Sequence, residues 1–158
     1  MADFNTFVAE VRGPGSGAPV AYKPDASVLS TLESGNFVAW QTSTRTLVLF
    51  VRDGSVGKYV GISRDSAKTV LRLGNQAALQ PDRISVYTTG IHNVLGKSGE
   101  TYSHGDEVYM NGTDVTSVTK TAGTGGVKVG VVYLPDGTQK IGAVRVPILI
   151  DAYAVTQA

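Results

Sequence analysis

The sequence predicts a mainly β protein: a compact β-sandwich or barrel-like domain with one short helix and an extended N-terminal arm. Three observations carry this reading. Apolar residues recur at period two in the second half of the chain, at Val108 and Met110, at Val127, Val129, Val131 and Tyr133, and at Val144, Val146, Ile148 and Ile150. That alternation puts one face of a strand on a core and leaves the other for solvent or a partner. Gly and Asp cluster between the alternating runs, and 19 Gly with 6 Pro supply many turns. At 158 residues the chain is long enough for one domain with a real core, so a single domain over residues 31–158 preceded by an arm over 1–30 is expected.

The arm opens the chain. After Phe7, Val8 and Val11 comes Gly13-Pro14-Gly15-Ser16-Gly17-Ala18-Pro19, a run that cannot hold a helix and makes a poor strand. Two readings of such an arm stand side by side: a terminus without fixed structure, or an extension that orders only against a neighbouring subunit. Phe4, Phe7, Val8 and Tyr22 give the second its apolar anchors.

Three strands are expected next, over Phe37–Gln41, Thr46–Arg52 and Lys58–Ile62, with Asp53-Gly54 as the turn between the last two. Leu47-Val48-Leu49-Phe50-Val51 is apolar without alternation, which predicts cover on both faces and a place near the centre of the core. Ala67, Val70 and Leu71 then fall at i, i+3 and i+4, with Arg64, Asp65, Lys68 and Arg72 opposite, so a short helix is expected over Ser63–Gly74. Ser63 is its expected N-cap, Asp65 suits the positive end of its dipole, and Gly74 terminates it. A second helical turn over Gln76–Leu79 would stop at Pro81. Strands resume at Arg83–Thr88 and Ile91–Leu95, separated by a turn or bulge at Thr89-Gly90. A loop over Gly96–Gly105 leads to the last sheet, in which Asn111-Gly112 is a hairpin dipeptide. No internal repeat and no second domain boundary is evident.

Composition narrows the function classes. A net charge of +1, with basic and acidic residues spread along the chain, leaves no electrostatic footprint for a duplex or an anionic membrane. No cysteine is present, so disulfides and thiolate chemistry are excluded. The start lacks a basic segment followed by a long apolar core, and no window approaches 18 consecutive apolar residues, so a soluble protein without a signal peptide is expected.

No recognisable catalytic pair or metal set emerges. The two histidines, His92 and His104, have no Cys or spaced carboxylates to complete a zinc set, and are read as packing beside a strand and shaping a turn with Gly105. Asp106–Asp114 is rich in oxygen ligands without the spacing of a calcium loop. Gly123-Thr124-Gly125-Gly126 lacks the Lys-Ser or Lys-Thr of a phosphate loop and precedes a strand, so it reads as a turn. Ser63, Ser85 and Ser103 have no nucleophile-elbow context, and Asp151, a single carboxylate after the last strand, is read as making a surface hydrogen bond or salt bridge at the end of the sheet. No enzyme, cofactor or metal is expected. Trp40 is the only tryptophan, where a carbohydrate-binding module would expose several aromatic platforms. Tyr87, Tyr102, Tyr109 and Tyr133 are read as core or subunit interface.

Lys97–Met110 (KSGETYSHGDEVYM), then Thr113–Ala122, then Val127-Lys128-Val129-Gly130-Val131-Val132 resemble the bacteriophage capsid cement, or head decoration, proteins. In that family a G-E-T-like turn leads to a G-D-x-V-Y strand, a variable Thr-rich hairpin, a G-x-V strand and an apolar last strand, a place that Val144–Ile150 fills here. The likeness also takes in Tyr59–Ser63 and Arg83–Gly90, and so covers roughly residues 55–152. It implies a non-enzymatic virion protein on the outer capsid surface, made in the host cytoplasm, that clamps adjoining major capsid protein subunits. It also implies self-association, commonly as a homotrimer, with no nucleic acid or membrane partner. The arm departs from the shortest members of the family, and the residues expected to make capsid or subunit contact are Phe4, Phe7, Val8, Val11 and Tyr22, with Arg12 and Lys23 pairing to acidic groups on a neighbour. Gly96–Gly105 is a second expected contact surface. A head-fibre or tail structural protein and a carbohydrate-binding β module are the other readings.

Overall fold

A computed structural model of the chain describes residues 19–67, 83–142 and 144–152. Among them the fold is all-β in character, with an antiparallel sheet in the first half and a closed five-stranded barrel in the second. No helix among the described residues is long and apolar enough to cross a membrane.

The first sheet contains β1 (Val20–Tyr22), β2 (Phe37–Gln41), β3 (Thr46–Leu49), β4 (Lys58–Ser63) and β5 (Ile84–Tyr87), in the order β1-β5-β4-β2-β3. Residues 20–25 lie within the span read as arm, yet they are built into this sheet. Val20 pairs with Val86 and Tyr22 with Ile84 at one edge. Directly afterwards the chain crosses to the other edge, where the Leu47 amide donates to the Lys23 carbonyl (2.7 Å) and the Asp25 amide donates to the Leu47 carbonyl (2.9 Å). One continuous stretch therefore covers both open edges, which removes the unpaired backbone groups that make an edge strand prone to wrong pairing. A 3-10 turn at Ala26–Val28 follows, capped by Asp25, and its Val28 is buried.

Phe37, Val38 and Ala39 are consecutive and fully buried, because β2 lies between β3 and β4 and both of its faces are covered. The run Leu47–Val51 behaves differently from its expectation. Leu47, Val48 and Phe50 are buried, but the strand ends at Leu49, Val51 is exposed, and β3 is an outer strand of the ladder. The Lys23–Asp25 stretch hydrogen-bonds along its outer edge. A bulge in β4 interrupts its pairing with β2 between Val38 and Ala39. It requires Gly61, whose φ is +136° and whose missing Cβ would overlap the Tyr87 carbonyl.

The second half forms a barrel from β6 (Thr89–Gly96), β8 (Glu107–Asn111), β9 (Asp114–Thr119), β10 (Lys128–Val132) and β12 (Arg145–Asp151), closed in the order β10-β12-β6-β9-β8. β7 (Thr101–Tyr102) and β11 (Lys140–Ile141) pair separately as a two-stranded ribbon. Thr89-Gly90, expected as a turn or bulge, opens β6. Gly90 has a φ of +103°, and the bend around it brings the rings of Tyr87 and His92 to 4.9 Å. The hairpin expected at Asn111-Gly112 is present one residue on: Asn111 ends β8 paired to Asp114, and the turn residues are Gly112, at φ +61°, and Thr113.

The alternation over Val127–Tyr133 is corrected in one respect. A bulge at Val129, between Lys128 and Gly130, shifts the register against β8, so Val129 and then Val132 are buried, while Val131 turns outward beside Leu149. The last strand keeps its expected phase at Val146, Ile148 and Ile150, although Val144 is exposed. The buried side chains of the sheet and the barrel form one continuous cluster. The Val127 amide donates to the Arg52 carbonyl (2.8 Å), and the Arg52 guanidinium lies over Gly123, so the loop after β3 grips the Gly-rich turn before β10.

Of the expected helix over Ser63–Gly74, only Ser63–Ala67 falls among the described residues; the remainder, and the turn over Gln76–Leu79, lie outside them. Ser63 is not a cap. It ends β4, is buried, and its hydroxyl donates to the Asp65 carbonyl (2.6 Å).

Candidate contact surface

The rim of the barrel beside the β7/β11 ribbon is built around Tyr102. This side chain is fully buried, and its phenol oxygen accepts the Lys97 amide (2.8 Å) and lies 2.8 Å from the Val118 carbonyl and 2.9 Å from a Glu100 carboxylate oxygen. Desolvation, aided by the neighbouring carboxylate, raises the phenol well above its ordinary pKa, so it stays a neutral donor. Partial burial pushes the Glu100 carboxyl up, but it also accepts from the Thr119 hydroxyl (2.7 Å), the Lys120 amide (2.9 Å) and Tyr102. These hydrogen bonds, with Lys97 nearby, outweigh the desolvation and hold it below the usual range. The G-E-T turn is thereby fixed from inside: a buried ring and an ionised carboxylate hold four backbone or hydroxyl groups in place.

The ribbon closes over this turn. The Gly142 amide donates to the Glu100 carbonyl (2.6 Å), the Gly96 amide donates to the Val144 carbonyl (2.9 Å), and a Cβ at Gly142 would overlap the Lys97 carbonyl. On the other side the Leu134 amide donates to His104 Nδ1 (2.9 Å), the His104 ring meets Tyr133 edge-on at 5.7 Å, and the Gln139 amide nitrogen donates to the Ser103 hydroxyl (2.8 Å). What this rigid rim presents outward is apolar: Ile141 is 68% exposed and Val144 44%. Lys97, Lys140 and Arg145 are exposed around them.

Of the seven residues expected to make contacts, Phe4, Phe7, Val8, Val11 and Arg12 lie outside the described residues. Tyr22 is the last residue of β1 and packs half-buried on Trp40 with ring centroids 5.4 Å apart. That contact makes Tyr22 part of the sheet's own packing. Lys23 uses its carbonyl in the sheet and leaves its side chain exposed. The second expected surface, Gly96–Gly105, is the rim itself and includes β7.

The other chemical motifs resolve into local structure. His92 lies beside its strand with Nε2 2.9 Å from the Thr89 carbonyl. The carboxylates of Asp106–Asp114 are engaged separately: Asp106 with the Ser103 amide and Lys120, Glu107 with Lys128 and Tyr109, and Asp114 with Thr116 and Ser117. Among the described residues no group of His, Cys, Asp and Glu could hold a metal ion. Asp151 is the exposed end of β12.

Two features escaped the sequence reading. The ribbon strands are two residues long, too short for any periodicity. Four aspartates, Asp25, Asp53, Asp114 and Asp136, each accept the amide of a Ser or Thr two residues on, at 2.9, 2.9, 2.9 and 3.1 Å. The repeated Asp-x-Ser/Thr spacing was the available signal for these turns. No protein family, curated protein or solved structure matches this chain significantly.

Proposed function

We propose that this chain is a bacteriophage capsid decoration protein: a non-enzymatic virion protein, made in the host cytoplasm, that self-associates as a homotrimer, binds the outer surface of the mature capsid and clamps adjoining major capsid protein subunits. The observation that carries the proposal is where the family-like segments fall. Lys97–Met110 forms the rim and β8, Thr113–Ala122 contains β9, Val127–Val132 contains β10 and Val144–Ile150 contains most of β12. Tyr59–Ser63 and Arg83–Gly90 fall on β4 and β5 of the first sheet, so the likeness runs from that sheet into the closed barrel and its rim, which ends in exposed apolar side chains.

Such a unit suits a protein whose effect comes from binding one lattice state. A ligand that binds only the mature lattice stabilises it by mass action, and many modest contacts repeated by symmetry suffice without a reactive group. The arm, with Phe4, Phe7, Val8 and Val11, is the clamp in this reading, and the rim is the second contact. The test is co-sedimentation of the purified protein with mature, expanded capsids stripped of decoration and with unexpanded procapsids, alongside a sizing measurement of the free protein. Saturable binding to mature capsids alone is expected. Binding to neither particle overturns the proposal.

A further inference from the structure

We infer that His104 is a proton-operated latch on residues 134–139, the strap that carries the chain from β10 to β11. The strap has little of its own to hold it. Leu134 packs in the core, but residues 135–139 are all exposed. Two hydrogen bonds tie the strap to the turn over residues 103–106: the Leu134 amide donates to His104 Nδ1 (2.9 Å), and the Gln139 amide nitrogen donates to the Ser103 hydroxyl (2.8 Å). The turn itself is fixed without the imidazole. The Gly105 amide donates to the Val132 carbonyl (2.9 Å), the Val132 amide to the Asp106 carbonyl (2.8 Å) and the Ser103 amide to the Asp106 carboxylate (2.9 Å). His104 thus stands on a rigid post, with a strap clipped to it.

The clip can exist in only one charge state. A backbone amide only donates, so the imidazole accepts through the Nδ1 lone pair and carries its own proton on Nε2. That lone pair is also where the ring takes its second proton, so the amide and the proton compete for one site. A protonated ring turns an N–H toward the Leu134 N–H, and the bond is lost. His104 is exposed, so solvent protons reach it without any prior opening. The charged groups on the elements around it are engaged elsewhere. On the turn and β8, Asp106 pairs with Lys120 and Glu107 with Lys128. On the strap, Asp136 accepts from Thr138 and has Lys140 nearby. Before β7, Glu100 is held by Thr119 and Lys120, and β12, whose Pro147 carbonyl accepts the Tyr133 amide, carries Arg145 and Asp151. Among the described residues none of these forms an ion pair with the imidazole, whose ring neighbour is Tyr133. Protonation of His104 therefore frees the strap that leads to Ile141, while the ribbon's own pairing holds β11.

The test is amide exchange by NMR in the free full-length protein, each rate divided by its intrinsic value at that pH. Between about pH 8 and pH 5, the range in which histidine ordinarily titrates, protection of the Leu134 amide should fall at least about fivefold. The Val132 amide, bonded to the same turn through a carbonyl, should keep its protection. At the upper pH the ring nitrogen shifts should report the Nε2–H tautomer. His104→Asn places an amide oxygen, which does not titrate, near the position of Nδ1, and should make Leu134 protection independent of pH. His104→Ala should remove it at both ends of the range. Leu134 protection that stays level with pH in the unaltered protein overturns the inference, and so does the Nδ1–H tautomer. A fall of the same size in His104→Asn also overturns it, because another group, such as His92, would then be the one that titrates. The latch works in the free chain, so none of these outcomes depends on capsid binding.

Discussion

Replacing Tyr59 by Phe is expected to stabilise the protein. Tyr59 is 2% exposed and packs against Phe50 at a centroid distance of 5.2 Å and Phe37 at 6.2 Å, and its hydroxyl has no hydrogen-bond partner among the described residues. In the unfolded chain that hydroxyl is hydrated, and burying it unpaired costs about 1–3 kcal/mol. The substitution removes this penalty and keeps both ring contacts. The void left by one oxygen is smaller than a methylene, and at on the order of 24 cal/mol per Å³ of cavity it returns only a few tenths of a kcal/mol. The net gain is therefore about 1–2 kcal/mol, a rise in Tm of roughly 2–8 °C for a chain of this size. Urea unfolding at pH 7 measures it. A loss of 1 kcal/mol or more would refute the reasoning, because it would mean that the hydroxyl is satisfied by a bound water. The alkaline limb supplies a second check. Desolvation raises the Tyr59 phenol far above its ordinary value of 10, so below pH 10 it contributes no pH dependence. Above pH 10 the unfolded chain loses a proton that the folded one keeps, and stability falls. That fall should be shallower in Tyr59→Phe.

Three further outcomes are expected. Gly142→Ala should loosen the ribbon, since the added methyl overlaps the Lys97 carbonyl, and cost about 1–3 kcal/mol; amide exchange should report faster opening at Thr101–Tyr102 and Lys140–Ile141 than in β6, and uniform exchange would contradict it. Hydrogen bonds from Ser27, Ser55, Thr116 and Thr138 lower the carboxyls of Asp25, Asp53, Asp114 and Asp136 below 3.8. Their stabilisation is present above that value and lost as pH falls through the folded pKa values, so urea midpoints should drop below about pH 4, with a shallower slope in Asp114→Asn; an unchanged slope would count against the turn. Phe4→Ser with Phe7→Ser should weaken binding to mature capsids tenfold or more in co-sedimentation while leaving the circular dichroism spectrum unchanged, and undiminished occupancy would remove the arm from the mechanism.

The strands were legible where a local pattern and the tertiary environment agreed. Phe37–Gln41 and Val146–Ile150 lie where apolar pattern and turn residues put them, and β12 pairs with β6 without interruption. Legibility failed where a contact distant in sequence decided the outcome. Val20–Tyr22 follows a Gly/Pro-rich run and has no internal signal; it is a strand because β5, more than sixty residues later, offers it an edge. Leu47–Phe50 is apolar on both faces, which suggested a central strand, yet β3 is the outer named strand and its free edge is taken up by the Lys23–Asp25 stretch. The bulge at Val129 reverses the phase of β10 within a run of valines that reads as perfectly regular.

The same division separates the rim from its chemistry. Gly99-Glu100-Thr101 was visible as a turn, but nothing local says that Glu100 is held by Thr119 and Lys120 or that Tyr102 is the post around which Lys97 and Val118 gather. Those partners arrive from β9 and the residues after it, which the barrel's parallel β6–β9 pairing brings alongside Gly96. A loop that looked like a connection is in consequence among the most hydrogen-bonded parts of the described chain, and its stiffness is what allows Ile141 and Val144 to remain exposed without collapsing inward. Rigid support beneath an exposed apolar pair lowers the entropy lost when a partner is captured, because the side chains that meet it are already fixed. The rim is therefore suited to a contact made by shape and area.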